Sequence, residues 1–245
     1  MVVAALAAGC ATRSAARATL SPSLARDLDA LAATLGRVDG SLPTLLRYRV
    51  EAPDGAWLHE IVFSDGRYAE QRRRVDGAGR YALGEDERGA WLRIGDDPPV
   101  AANAAWTAEI RGRRALFTGG YLTPQRGDEA VRLSHWRTGW EYSYRAAGGR
   151  TLTLEIARRS GLPVSFDTLD AHSRIVRCGA LEWTDFEDAR VVARARCRVG
   201  GGQEMPAWDA RVTLLRAAQI DDADALPSFG SAACAFLGCP RLAAT

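Results

Sequence analysis

The sequence predicts a mainly β chain, antiparallel, with two helical segments (α+β). Three observations carry this reading. From Thr44 to Gly95 apolar side chains recur with period two, so that Trp57, His59, Ile61 and Phe63 fall on one side of a strand and mostly polar side chains on the other. The same alternation returns from Glu129 onward and is cleanest at Arg190 to Val199, where Val191, Ala193, Ala195, Cys197 and Val199 share one face. Arg190, Arg194, Arg196 and Arg198 share the other, the pattern of a sheet with one buried and one solvated face. Two stretches abandon period two for helical spacing.

The first helix is expected from Ser21, a capping residue, with Pro22 in the first turn and Gly36 as the stop. Leu24, Leu28, Leu31 and Leu35 form its apolar stripe, which requires a partner surface. Turns at Pro53-Asp54-Gly55, Ser64-Asp65-Gly66 and Asp76-Gly77 divide the following segment into a meander. The second helical stretch is expected after Asp97-Pro98-Pro99, with Ala102, Trp106 and Ile110 on one face ahead of Gly112 and Arg113-Arg114. Strands are then expected at Trp140 to Tyr144, around Leu152, Leu154 and Ile156, at Pro163 to Asp167, Ile175 to Phe186, Arg190 to Val199 and Ala207 to Leu215. No pattern break divides the body into two domains.

Composition narrows the classes. A chain of 245 residues with 47% hydrophobic content carries enough apolar material for a large core of its own. All 32 basic residues are Arg, against 30 acidic ones, and they are spread along the chain rather than gathered on one element, so nothing marks a nucleic-acid partner.

The N-terminus resembles the processing signal of a bacterial lipoprotein. Val2 to Ala8 is apolar but too short for a bilayer core of ~30 Å, and Leu6-Ala7-Ala8-Gly9-Cys10 ends in small residues and a cysteine. That resemblance implies a signal over residues 1–9, lipid attachment at Cys10, a small polar tether over 10–20, and an anchor facing the periplasm. Ala11 after Cys10 implies the outer membrane under the sorting rule of such lipoproteins. No Lys or Arg precedes the apolar run, as a secretory signal ordinarily requires, which leaves room for a start further upstream.

Five cysteines fit this address, since assigning Cys10 to lipid leaves four for an oxidising compartment. Cys178 and Cys197 are equidistant from Glu187-Asp188, so a hairpin turning there sets them opposite one another and permits a disulfide. The same register sets Arg177 against Arg198, which is mildly unfavourable. Cys234 and Cys239 are spaced for a small local loop; a disulfide or free thiols are expected there ahead of a metal, because no His or second pair lies nearby.

The order helix, meander, helix, meander resembles the LolA/LolB lipoprotein-carrier superfamily. The local matches are Gly84-Glu85-Asp86-Glu87-Arg88-Gly89-Ala90-Trp91, Phe166-Asp167 leading into Asp170, Trp183-Thr184-Asp185-Phe186, and Gln219-Ile220-Asp221-Asp222 to Phe229. The resemblance implies an antiparallel, incomplete (half-open) β-barrel with a helical lid over residues 21–229, followed by a tail over 230–245. It also implies an apolar cavity. Trp57, His59, Ile61, Phe63, Trp91, Trp106, Ile110, Leu152, Leu154 and Trp208 are its candidate lining, and the acyl chains of a lipid or lipoprotein are the candidate partners. The exposed apolar loop with which the receptor LolB inserts lipoproteins has no counterpart in this sequence.

No constellation for catalysis stands out, so no enzyme, no cofactor and no metal are expected. His59, His135 and His172 lie on different elements without zinc-site spacing, and His59 reads as a hydrogen-bonded core or cavity residue. Asp167-Thr168-Leu169 departs from an aspartic-protease motif by Leu in place of the glycine that shapes its loop. Glu85-Asp86-Glu87 lacks EF-hand spacing and reads as a solvated turn, and Arg72-Arg73-Arg74 reads as a solvated strand edge. The expected function is an anchored, non-catalytic binder of acyl chains. The alternatives are a scaffolding lipoprotein with a filled core, and an accessory domain of a periplasmic aspartic-protease system, since domains related to this superfamily also precede such proteases.

Overall fold

A computed structural model describes residues 20–38, 43–64, 67–77, 79–146, 151–169, 174–201 and 205–220. Cys10, Cys234 and Cys239, most of the expected tether and the expected tail lie outside them. The chain opens with helix α1, Pro22–Leu35. Ser21 caps it, its hydroxyl accepting from the Leu24 amide at 3.3 Å, and Gly36 ends it at φ 69°. A Cβ at position 36 would lie 1.9 Å from the Asp188 carbonyl oxygen, so only glycine lets the helix end close against the turn it meets there.

Five strands follow as a meander: β1 Thr44–Ala52, β2 Gly55–Ser64, β3 Arg67–Arg74, β4 Arg80–Asp86 and β5 Gly89–Ile94. A two-residue β6, Val100–Ala101, leads into helix α2, Ala104–Phe117. This corrects the expected start of the second helix: the residues after Pro98-Pro99 form an edge strand, Ala102 precedes the helix, and Asn103 caps it by accepting from the Trp106 amide at 2.9 Å. The helix runs on through Gly112 to Phe117. A short 3-10 turn, Gly120–Leu122, then delivers the chain to β7 Glu129–Trp136, β8 Gly139–Arg145, β9 Thr151–Ala157 and β10 Pro163–Leu169. The long strands β11 Arg174–Phe186, β12 Ala189–Gly201 and β13 Met205–Gln219 are the last elements among the described residues.

All thirteen strands form one antiparallel sheet in the order β6-β5-β4-β3-β2-β1-β13-β12-β11-β10-β9-β8-β7. It does not close into a barrel. The two meanders fuse where the first strand pairs with the last, from Thr44 opposite Gln219 to Glu51 opposite Arg211. β11 and β12 turn at Glu187-Asp188 as expected, with Cys178 opposite Cys197 and the two joined as a disulfide. Arg177 does face Arg198, and the repulsion is offset because Asp167 on β10 holds the Arg177 guanidinium with contacts of 2.8 to 3.0 Å.

The core lies on one face of this sheet. The Leu24, Leu28, Leu31 and Leu35 stripe of α1 packs into it with Leu46, Tyr48, Ile61, Phe63, Leu152, Leu154, Phe166 and Val191, and α2 adds Ile110, Leu116 and Phe117. Gly84 sits opposite Trp91, and a Cβ there would meet the indole ring at 2.6 Å, so the glycine is what allows the ring to lie flat across the neighbouring strand. Arg132 on β7 reaches Asp27 of α1 at 2.5 Å and covers the Trp140 ring at 5.3 Å. The outer strands β7 and β8 are thereby tied to α1.

Candidate functional site

The interior under α2 contains charge as well as hydrocarbon. Period two along Tyr68-Ala69-Glu70-Gln71-Arg72 sends Tyr68, Glu70 and Arg72 to the face that carries His59 on β2, which pairs directly with Arg72. On α2, Glu109 and Arg113 stand one turn apart and descend onto the same spot. Glu70 is 1% exposed and is the hub: its Oε1 lies 2.7 Å from Arg72 Nη2, 2.7 Å from Arg113 Nη1 and 3.0 Å from His59 Nε2. Its Oε2 accepts from the Tyr68 hydroxyl at 2.7 Å, and Arg113 Nε donates to Glu109 Oε1 at 2.8 Å. Phe117 closes the cluster, stacked on Tyr68 and edge-on to His59.

Electrostatics fixes the protonation states. Burial alone would raise the Glu70 pKa, but Arg113 and Arg72 hold it well below the usual carboxylate range. Burial, with Arg72 beside it, pushes the His59 imidazole down to about 4, so it is neutral at pH 7. Burial and the Glu70 charge raise the Tyr68 phenol. The cluster is thus two carboxylates and two guanidiniums that balance, with neutral His59 and Tyr68 as spacers. The shifts of Glu70, His59 and Tyr68 all lead away from neutral pH, and among the described residues no three His, Cys, Asp or Glu side chains are grouped to hold a metal.

From Arg72 the interior opens to a hollow of about 100 Å³ at the end of the sheet near the β1–β2 turn. Val50, Ala52, Asp54, Trp57, Tyr81 and Trp208 surround it with Arg72. A larger trough, about 1110 Å³, lies on the opposite face of the sheet and is lined mainly by charged and polar side chains of β1 and β8 to β13, among them Glu155, Asp167, Arg196, Arg198 and Arg211. Apolar surface of Ala52, Pro53, Cys197 and Ala210 lies between those charges.

The structure divides the ten candidate lining residues. His59, Ile61, Phe63, Trp91, Ile110, Leu152 and Leu154 are fully buried in the packed interior, whereas Trp57, Trp106 and Trp208 are half-buried. Trp57 and Trp208 are brought together at the small hollow; Trp106 sits on the first turn of α2. The sequence reading did not single out Glu70 or Glu109, and it named Arg113 only as a residue of the second helical stretch, not as part of a site. It also placed Arg72 on a solvated edge, and this is corrected: β3 is an interior strand between β2 and β4, and Arg72 is 5% exposed. The available signal was the alternation that puts Tyr68, Glu70 and Arg72 in line with His59. Without the β2–β3 register and the helix above, it is indistinguishable from an ordinary solvated face.

No protein-family model and no curated protein sequence matches this chain. Its fold is similar to that of the LolA superfamily protein NE2245 from Nitrosomonas europaea, with a TM-score of 0.52 over 84% of this chain and 96% of that one at 10% identity. It is also similar to a domain from Vibrio parahaemolyticus described as belonging to an outer membrane lipoprotein-sorting protein, with a TM-score of 0.50 over 81% of this chain and 92% of that one at 8% identity. These likenesses establish the architecture: an open antiparallel sheet of LolA-like fold with helices across its apolar face. Among the described residues no helix is long and apolar enough to cross a membrane.

Proposed function

We propose that this chain is a cell-envelope lipoprotein that holds an acyl chain of a lipid or lipidated partner against the apolar face of its sheet, without covalent chemistry, and that Cys10 carries the lipid that keeps it at the outer membrane. The observation that supports this most is that the apolar face of a thirteen-stranded sheet is covered by two 14-residue helices and not by a second sheet or by barrel closure. Such a cover can be lifted without breaking a strand ladder. In the closed arrangement the hollow of about 100 Å³ falls below the roughly 300–1,000 Å³ that enclose a drug-sized ligand, so loading requires α2 to move off β4 and β5. Arg111 and Arg114 on α2 both reach Glu85 on β4, at 2.8 and 3.3 Å, and form a rim contact that such a movement breaks.

Native mass spectrometry of the detergent-extracted full chain is expected to reveal co-purified lipid, and a fluorescent long-chain fatty acid is expected to be taken up saturably. Metabolic labelling with palmitate is expected to mark the chain and to be abolished by Cys10→Ala. Absence of both bound lipid and uptake would overturn the binding reading. It would favour the alternative of a scaffolding lipoprotein with a filled interior, which the seven fully buried candidate residues support.

A further inference from the structure

The edge of the sheet that leads into α2 leaves hydrocarbon in the open. Ile94 is 74% exposed and Val100 60%, the two most exposed large apolar side chains among the described residues. They are neighbours: Val100 on the edge strand β6 pairs with Leu92, and Ile94 stands two residues further along β5 on the same face. The run from Pro98 to Ala108 contains no charged residue, in a chain of which 25% is charged. Along it Pro98, Ala104 and Ala105 are exposed as well, and Trp106 in the first turn of α2 is half-buried. Single apolar side chains on a surface need no explanation, but a contiguous group of them marks a contact site. This one is continuous with the interior, because Ile94 stands opposite Tyr81 and Tyr81 lines the hollow.

We propose that this edge is the part of the body that seats on a lipid bilayer, with Ile94 and Val100 entering the boundary between headgroups and acyl chains and Trp106 at headgroup level. The inference rests on the envelope address proposed above and deepens it by assigning the surface that meets the membrane; it does not need the acyl cargo. Composition selects the partner. A protein partner is held partly by hydrogen bonds at the rim of the contact, whereas a bilayer asks only for apolar side chains and an amphipathic ring. The amide and hydroxyl side chains of the run are spent within the chain, Asn103 accepting from the Trp106 amide at 2.9 Å and Thr107 donating to the Ala102 carbonyl at 3.4 Å. The charge of the lipid follows from the margin. Asp96 is paired with Arg80 and Asp97 beside it is exposed, so the patch gains nothing from anionic headgroups and a neutral lipid suffices. An edge seated in this way turns Tyr81, and the hollow behind it, toward the bilayer.

The test is co-sedimentation of the full chain with phosphatidylcholine vesicles, in a Cys10→Ala background so that no lipid on that residue contributes. Binding is expected, no stronger when phosphatidylglycerol is added, and resistant to high salt. Ile94→Asp with Val100→Asp is expected to weaken it at least roughly fivefold. Ala104→Asp charges the patch at the start of α2, where an acid favours the helix, so binding is expected to fall while the melting temperature holds or rises. That variant decides the matter if the double one fails to fold. Val131→Asp with Leu133→Asp, on the opposite edge strand β7 at 48% and 53% exposure, is expected to change nothing. Brominated phosphatidylcholine is expected to quench tryptophan emission, and Trp106→Phe to remove most of that quenching. No sedimentation with phosphatidylcholine, binding that requires phosphatidylglycerol, equal loss at the two edges, or quenching undiminished in Trp106→Phe overturns the proposal. Fatty-acid uptake in vesicle-free solution keeps the two readings apart. Uptake lost with vesicle binding retained removes the acyl reading alone, and vesicle binding absent with uptake retained removes the bilayer seat alone.

Discussion

Glu70 is the residue on which the buried charges converge, and its surroundings set a pH dependence with a definite sign. Its pKa is depressed in the folded chain, so the stability it contributes is complete above the unfolded carboxylate value of ~4.3 and is lost as pH falls below it. His59 acts in the same direction by a different route. Burial and then Arg72 lower its pKa to about 4, so between ~6.5 and that value the unfolded chain binds a proton that the folded one refuses. Stability therefore rises with pH across that window, by on the order of 3 kcal/mol for this one group. Urea unfolding from pH 4 to pH 7 is expected to show this rise, and His59→Gln is expected to flatten it; an unchanged slope in the variant would contradict the assignment. Glu70→Gln leaves Arg72 and Arg113 buried without their shared carboxylate and is expected to cost ~3–5 kcal/mol. At this scale the sequence was informative about apolar residues and silent about the charged ones. His59, Ile61 and Phe63 declare a buried face by period two, but an Arg on a strand declares nothing until the register shows what lies above it.

Among the elements, α1 and α2 differ in how they are held and in how well they could be read. The α1 helix carries a complete local signature, from Ser21 and Pro22 to a four-leucine stripe and Gly36, and the structure follows it residue by residue. The α2 helix buries Glu109 and Arg113 beside Ile110 and Phe117, so its stripe is mixed and its start is hidden behind Pro98-Pro99; Asn103, the actual cap, was the overlooked mark. Its rim contact is the Glu85 pair with Arg111 and Arg114. Partly exposed ion pairs contribute little, ~1 kcal/mol or less, so this one adds a small share to the cost of lifting α2, whose larger part is the buried pair of Arg113 with Glu70. Glu85→Gln is expected to leave the melting temperature within about 2 °C and to accelerate fatty-acid uptake several-fold in stopped-flow fluorescence. Slower or unchanged uptake would show that α2 is not the moving part.

For the whole molecule, the decisive pairing is the one that fuses two meanders into a single sheet, and it is the least legible. Each hairpin is local and its turn can be read from Gly, Asp and Pro, as the Cys178–Cys197 register shows. The union of β1 with β13 joins residues that are adjacent in space and remote in the chain, and no local pattern encodes it; only the family resemblance brought the half-barrel into view. The disulfide lies in this fused half, spanning a sequence separation of 19. By loop-closure entropy Cys178→Ser with Cys197→Ser is expected to lower stability by ~3 kcal/mol, measured by thermal unfolding with and without reductant. Equal melting under both conditions would argue against the bridge in solution.

Because the strand made first finds its main-chain partner in the strand made last, with Pro43 accepting from the Ile220 amide at 2.8 Å just beyond their ends, the sheet is unfinished until nearly the whole chain has emerged. Until then the leading meander presents an open row of backbone donors and acceptors along β1, the kind of surface to which a stray strand adheres. Completion of the sheet is thus timed by the arrival of β13, and whatever shields the β1 edge before then decides whether the chain matures or aggregates.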